Sequence, residues 1–380
     1  MLLKAVVVVL FSCVTYLLLY IRLGYNLHYK KHHPGECRPM MELEFGSEDL
    51  QVTSDGLAFI SSGVMYDAMS PQFKDFIVRQ NIRGRIMLYD FSRPEQGLTE
   101  LSIEAGSTLL LKKFRPHGIS IIEDRVKREH LVYVINHQGL EQDRVEKFRF
   151  RPSTRTLVHL KTFTSDLLRV TNDLALVQED QFFISNYLYF KTYTMSVVEH
   201  LLPVGLGSLV FFNGSQFEMM VSGLLGPNGV TLSLNGRFLY VAYPLGEKME
   251  VYQRLNNNRL RLVQSVMLYT SPDNFHLSMS GNELYVGAHP IPHKALDHLN
   301  QPQHTAPSSV LRVPLHHGLV IEDKVTELFY DHGDFIAGSS VAAVYQNQLL
   351  IGSVMNKLVL CDLDIKITDV SNSRVYSSNI

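Results

Sequence analysis

The sequence predicts an all-β protein, a six-bladed β-propeller with four-stranded blades, and three observations lead there. Six phrases of one form recur: EDLQVTSDGLAFISSG from Glu48, HGISII with HLVYVINH from His117, NDLALV with QFFISNY from Asn172, NGVTLSLNGRFLYVAY from Asn228, DNFHLSMSGNELYVGAH from Asp273, and SSVAAVYQNQLLIGSV from Ser339. Within each phrase apolar residues alternate as in half-buried strands, and Asp55-Gly56, Asn235-Gly236, Gly281-Asn282 and Asn347-Gln348 mark hairpin turns. The starts at 48, 117, 172, 228, 273 and 339 are 69, 55, 56, 45 and 66 residues apart, the repeat of propeller blades with loops of variable length. In such a ring the first strand of each blade lies against the channel. The polar residues that open the phrases therefore converge on one point.

With 380 residues, 46% hydrophobic and 19% charged, the chain can bury a large core, and no linker divides it. One domain is expected over residues 36–363, between an anchor with its collar (1–35) and a polar tail (364–380). A net charge of -2 without a basic block excludes a nucleic-acid partner. Residues 5–21 (AVVVVLFSCVTYLLLYI) hold no charge over 17 positions, enough to span a bilayer with help from the flanks. No small-x-small pair follows for a signal peptidase, so a retained single-pass anchor is expected, with lipid as its partner.

Orientation is contested. Lys4 lies on one side of the apolar run and Arg22, Lys30 and Lys31 on the other, a balance that by itself places the body in the cytosol. Cys37 precedes the first phrase and Cys361 ends the last, whereas Cys13 lies inside the apolar run. The outer two read as a disulfide, which persists in oxidising compartments. The sequon Asn213-Gly214-Ser215 is a glycosylation acceptor in the same sense. The body is expected outside the cell or in the ER lumen.

Between the phrases, Asn26 to Met40 is basic, with His28, His32 and His33, and reads as a solvated collar against headgroups. Tyr66 to Gln80 reads as a helical or loop-like insert, and Thr192 to Leu206 as a helix over one mouth of the ring. Leu209 to Ser222 reads as two strands about Asn213-Gly214. The His- and Pro-rich stretch 289–309 is expected to lack regular structure, and Pro290 and Pro292 argue against His289 and His293 sharing a helical face as zinc ligands.

The openers are Glu48, Asp49, His117, Asn172, Asp173, Asn228, Asp273 and Asn274. Apart from one imidazole they offer carboxylate and amide oxygens and no thiolate, the ligand set of calcium rather than zinc. Any one of them could be a turn or cap residue. Their recurrence at the same place in four phrases favours convergence on a site.

The segments GSEDLQ, GLAFISSG, RPHGIS, VINH, LVHLKT, NGVTLSLNGRFLYVA, ELYVGAHP, SSVLRV and GSSVAAVYQNQLLIG, with the terminal Cys, resemble the paraoxonase family in order across about residues 36–363. The resemblance implies a six-bladed propeller closed by Cys37 and Cys361, with two calcium ions stacked in its channel. Glu48, Asn172, Asn228, Asp273 and Asn274 would hold the catalytic ion; Asp49, Asp173 and the Ile119 carbonyl would hold the structural one. It further implies that calcium polarises a lactone or ester carbonyl while His117, oriented by His137, activates water. No GxSxG motif is present for a serine esterase. The chain departs from the family at Tyr187-Leu188, where an acidic and histidine pair is expected, and near Gly226-Pro227, where an aromatic is missing. It departs again at Ala288, the place of a free cysteine, and at Asn356, the place of a histidine. The expected function is calcium-dependent hydrolysis of lactones and aryl esters. The alternative is a non-catalytic, membrane-anchored chaperone or subunit for another membrane protein, such as an ion channel.

Overall fold

The computed structural model describes residues 2–27, 29–106, 113–124, 126, 129–138, 142–202 and 204–363; His28 and the tail 364–380 lie outside the described residues. These form six sheets arranged as blades, each beginning at the channel with one of the phrases. The inner strands are Leu50–Val52, Pro116–Ile122, Val170–Gln178, Val230–Leu232, Ser271–Leu277 and Ser339–Tyr345. Antiparallel hairpins carry each sheet outward, as the alternation predicts. Two blades exceed four strands. Ser102–Glu104 adds to the outside of blade two, pairing parallel with Thr156–Thr164, and Leu319–Val320 adds to blade five.

The core lies between blades. Leu57, Phe59 and Ile86 of blade one pack against Ile119, Val132 and Phe148 of blade two, and similar apolar layers fill each following gap around to blade six. Burying each such side chain contributes about 1.5–3 kcal/mol, so the blades hold one another in register chiefly by apolar contact. Blade six is built from both ends of the domain. Cys37–Met40 forms its outermost strand beside Leu358–Asp362, with Cys37 directly opposite Cys361. The two cysteines are bonded, as their positions predict.

Four α-helices lie among the described residues: α1 (Leu2–Arg22), α2 (Pro71–Arg79), α3 (Tyr193–Leu201) and α4 (Pro292–Asn300). Helix α2 starts where the Ser70 hydroxyl accepts from Phe73 N at 3.0 Å, and Pro71 follows at a position where a missing N–H costs nothing. Helix α4 corrects the expectation of irregular structure after His289. Pro292 opens that helix instead of interrupting it, for the same reason. The N-terminal ends of α2 and α3 meet the C-terminal end of α4 over one mouth of the ring at Asn300, whose carbonyl accepts from Ser70 Oγ at 3.2 Å and whose Oδ1 accepts from Tyr193 OH at 3.2 Å.

The apolar side chains of α1 from Val6 to Ile21 are exposed. No helix among the described residues is long and apolar enough to cross a membrane. Beyond α1 the collar is docked, not solvated. The Leu23 carbonyl accepts from His293 N at 3.0 Å, His32 forms a β-bridge with Tyr330, and Lys31 Nζ lies 2.6 Å from the buried Asp331 carboxylate. His33 stacks on Phe329 with ring centroids 4.7 Å apart. A purely electrostatic reading missed this because it gave the aromatic rings among the collar's charges no partner.

Candidate active site

At the centre of the ring the inner strands come so close that side chains give way to backbone. A Cβ on Gly229 would lie 2.4 Å from the Asp273 carbonyl oxygen and 2.7 Å from Asn274 Cα. This crowding brings oxygens of different blades together. Glu48, Asn172, Asn228, Asp273 and Asn274 are all buried there, and each has one side-chain oxygen without a protein hydrogen-bond partner: Glu48 Oε2, Asn172 Oδ1, Asn228 Oδ1, Asp273 Oδ1 and Asn274 Oδ1.

The remaining atoms of most of these groups are held. Glu48 Oε1 accepts from Asn274 Nδ2 at 2.8 Å, Asp273 Oδ2 lies 2.8 Å from His289 Nε2, and Asn172 Nδ2 lies 3.4 Å from His117 Nε2. Each carboxylate is thus anchored by one oxygen and presents the other. Five orphaned oxygens at one buried point carry a desolvation cost that a hard cation removes, and an all-oxygen donor set suits calcium. Among the described residues no three His, Cys, Asp or Glu side chains group to hold a metal, since three of the five donors here are amides.

Below them lie Asp49 and Asp173, both fully buried. Asp49 accepts from Leu50 N and Ile119 N at 2.8 Å each, and Asp173 from Leu174 N and Val230 N at 2.7 Å each. Each carboxylate therefore ties its own blade to the next. Burial, then the neighbouring Asp173 and Glu48 charges, push the Asp49 carboxyl well above the usual range. Burial also raises Asp173, against the two backbone N–H groups that lower it. Ile119, expected through its carbonyl, meets Asp49 through its N–H.

Above the oxygens stands a chain of imidazoles. His117 Nδ1 lies 2.9 Å from His137 Nε2, and His137 Nδ1 lies 3.0 Å from Asp143 Oδ1. Asp143 Oδ2 accepts from Thr171 N at 2.8 Å and from Thr171 Oγ1 at 3.0 Å. Burial raises the Asp143 pKa, and His137 and Thr171 more than offset it, holding the carboxyl below its ordinary value. An ionised carboxylate only accepts, which fixes the protons along the chain: His137 Nδ1–H donates to Asp143, and His117 Nδ1–H donates to the bare His137 Nε2. His117 Nε2 is left as a lone pair beside the orphaned oxygens, 3.4 Å from Glu48 Oε1. Burial lowers the His117 pKa, and Glu48, Asp273 and Asp173 together raise it by more, leaving it above the ordinary histidine value.

Tyr66 covers the pair, nearly parallel to the His117 ring at 5.7 Å between centroids. Over it opens a cavity of about 250 Å³, floored by Glu48, Asn172, Asn228 and Asp273 and walled in part by α3 and α4. Of the expected site residues, Glu48, His117, Asn172, Asn228 and Asp273 line this cavity, with Asn274 bonded to Glu48 and His137 to His117 behind it. Asn213 does not: it sits at the outer hairpin of blade three, where its Oδ1 accepts from Ser215 N at 2.9 Å. The sequence reading missed Asp143, Tyr66 and His289. Asp143 has a signal only in retrospect, as a carboxylate just before the strand that pairs with the one preceding His137.

The chain matches the Arylesterase family over residues 29–363. It is 33% identical to mouse (Mus musculus) serum paraoxonase/lactonase 3 over 334 residues, covering 88% of this chain and 90% of that protein. It is 34% identical to human (Homo sapiens) serum paraoxonase/arylesterase 1 over 329 residues, covering 86% and 88% respectively. Among solved structures, a luciferin-regenerating enzyme shares the fold with a TM-score of 0.50 at 11% identity, covering 86% of this chain and 95% of that one. A family match that runs from the collar through the closing strand of blade six, with relatives 33% and 34% identical over 88% and 86% of the chain, makes this chain a member of the arylesterase family of ester hydrolases.

Proposed function

We propose that this protein is a calcium-dependent hydrolase of lactones and aryl esters in which His117 is the general base. The observation that carries the reading is the ordered His117–His137–Asp143 chain, which ends in a bare nitrogen over the five orphaned oxygens. Glu48, Asn172, Asn228, Asp273 and Asn274 would hold one calcium ion, and Asp49, Asp173 and the Ile119 backbone a second. When bound, the first supplies a Lewis acid for the substrate carbonyl oxygen. His117 Nε2 takes a proton from water in the cavity, the adjacent Glu48 carboxylate stabilises the resulting imidazolium, and His137 keeps Nδ1 protonated throughout. Tyr66 and the walls from α3 and α4 limit the water that reaches the reacting centre.

The relatives named for lactonase and arylesterase activity support this substrate class. An ordered relay favours hydrolysis over a non-catalytic, partner-binding propeller, which has no use for it. The same reading keeps α1 as a single-pass anchor with the propeller outside the cell or in the ER lumen. Its support is the exposed apolar side of α1 and the Cys37–Cys361 bond. Glycosylation at the exposed Asn213 hairpin belongs to that placement.

The test is lactone and aryl-ester hydrolysis by the full chain in detergent, with calcium and after chelation, for wild type and His117→Gln. Calcium-dependent turnover that falls by about 10²–10⁴-fold in His117→Gln, with metal content unchanged, is expected. Full activity in that variant removes His117 as the base, and no turnover by wild type on a broad panel removes the hydrolase.

A further inference from the structure

One polar pair in the cavity wall stands outside the relay. Tyr187, near the end of the second strand of blade three, places its hydroxyl 2.9 Å from His200 Nε2 on α3. The other ring nitrogen, His200 Nδ1, lies 2.6 Å from the Ser196 carbonyl oxygen one turn earlier. A carbonyl only accepts, so Nδ1 carries the proton, and burial keeps the imidazole neutral by lowering its pKa. His200 Nε2 is therefore bare and the Tyr187 hydroxyl must donate to it. Burial, then Tyr66 and Asp273, push the phenol pKa far up, so that proton stays in place. With its proton given to His200, the Tyr187 hydroxyl on this lining side chain has only lone pairs left to offer, and so can only accept.

The position of this oxygen is built into the backbone. Gly226 sits at φ +59°, and a Cβ there would come 3.1 Å from Tyr187 Cε2. The departures from the family pattern at Gly226 and at Tyr187 therefore belong together: the aromatic missing from one place leaves the space that the other fills. Tyr187 and His200 also line a second, smaller cavity of about 100 Å³ beside Leu23 and Leu245, so the pair stands where the two spaces adjoin.

Resting on the hydrolase reading above, we propose that Tyr187, locked by His200, is a specificity-determining hydrogen-bond acceptor and that the preferred substrates are hydroxylated lactones. A substrate hydroxyl donates to the Tyr187 oxygen. A substrate without one strips water from that oxygen and returns nothing, which is how a polar wall discriminates between otherwise similar molecules.

The experiment compares α-hydroxy-γ-butyrolactone with γ-butyrolactone as substrates of the full chain. Alongside, 2-hydroxycyclopentanone and cyclopentanone, which cannot be hydrolysed, are measured as ligands by ligand-observed NMR. Wild type is expected to favour the hydroxylated member of each pair. In Tyr187→Phe, which keeps the ring, the ratio of kcat/KM for the two lactones falls by about five- to tenfold, mainly through KM. His200→Leu releases the phenol proton without removing the oxygen, and its ratio falls between the two. A wild-type ratio near unity, or one unmoved by Tyr187→Phe, overturns the proposal. If neither lactone is turned over but 2-hydroxycyclopentanone binds in preference and Tyr187→Phe abolishes that preference, the acceptor stands and the hydrolase reading falls. Equal binding of the two ketones overturns the acceptor as well.

Discussion

Asp143→Asn changes one atom and should invert the protons of the whole relay. The carboxylate accepts from His137 Nδ1 at 3.0 Å and from Thr171 N at 2.8 Å, but an amide has only one oxygen to serve both. Thr171 N–H is backbone and cannot turn away. If the amide oxygen stays on Thr171, its NH₂ faces His137 Nδ1, which must then lose its proton to Nε2. His137 Nε2–H donates to His117 Nδ1, and the remaining His117 proton moves to Nε2, the atom that was the base. The opposite amide orientation preserves the relay but sets the NH₂ against Thr171 N–H, leaving buried donors without acceptors at about 1–3 kcal/mol. At about 1.4 kcal/mol per factor of ten, the competent orientation is then populated in roughly one molecule in ten to one in a hundred. Hydrolysis should fall by about 10–100-fold, less than in His117→Gln, with calcium content unchanged. Steady-state kinetics under saturating calcium measure the loss, and imidazole nitrogen NMR reads the tautomer directly. Activity within about twofold of wild type, or an unchanged His117 tautomer, refutes the relay as drawn.

Three further outcomes follow from the same geometry. Chelation should lower the melting temperature, and restoring calcium to 100 times its Kd should return about 2.7 kcal/mol per site; an unchanged melting temperature after full exchange rules out both ions. Gly229→Ala drives a methyl into the Asp273–Asn274 backbone, so it should cost about 1–3 kcal/mol and weaken calcium binding. Calorimetry on that variant should register both effects, and wild-type affinity would show that the strands can yield there. Burial raises the Asp331 pKa, but Lys31 and the Phe335 and Gly333 N–H groups hold it below the ordinary value. A depressed folded pKa contributes stability that is present above the unfolded value of about 3.9 and is lost as pH falls through the folded value. Asp331→Ala should therefore lose about 2–3 kcal/mol at pH 7 and progressively less as pH falls below about 3.9, as read by urea unfolding across an acid series; a loss independent of pH would assign the effect to packing instead.

The ring was legible because each blade repeats one instruction, a polar opener followed by alternating apolar residues, and repetition survives noise that a lone strand does not. The oxygens of Glu48, Asn172, Asn228, Asp273 and Asn274 were legible for the same reason. Asp143 was not, because it belongs to no repeat and meets His137 only through the pairing of two strands. The Tyr187–His200 contact joins blade three to α3 across 13 residues and leaves no periodic trace. Helix α4 was misread because proline was weighed as a breaker at Pro292, where the first turn of a helix needs no N–H.

Blade six takes its outer strand from residues 37–40 and its other three from residues 339–362, and this division sets an order of assembly. Hairpins within the other blades close over far shorter segments, the helix-bearing inserts included, whereas the pairing of Cys37 with Cys361 spans 324 residues and carries the largest entropy of closure. A newly made chain therefore holds its first strand unpaired while most of the domain emerges and folds. An unpaired strand invites a foreign one. This one is four residues long, carries a charge at Arg38, and has at Pro39 a residue with no N–H to offer, so an intruder finds little to grip. Glu48, just inside that seam, meets Asn274 and accepts from Ser340 Oγ through its carbonyl. Until the seam shuts, these groups sit on the arms of an open arc. The polar floor of the channel comes into being with closure of the circle and belongs to no single blade.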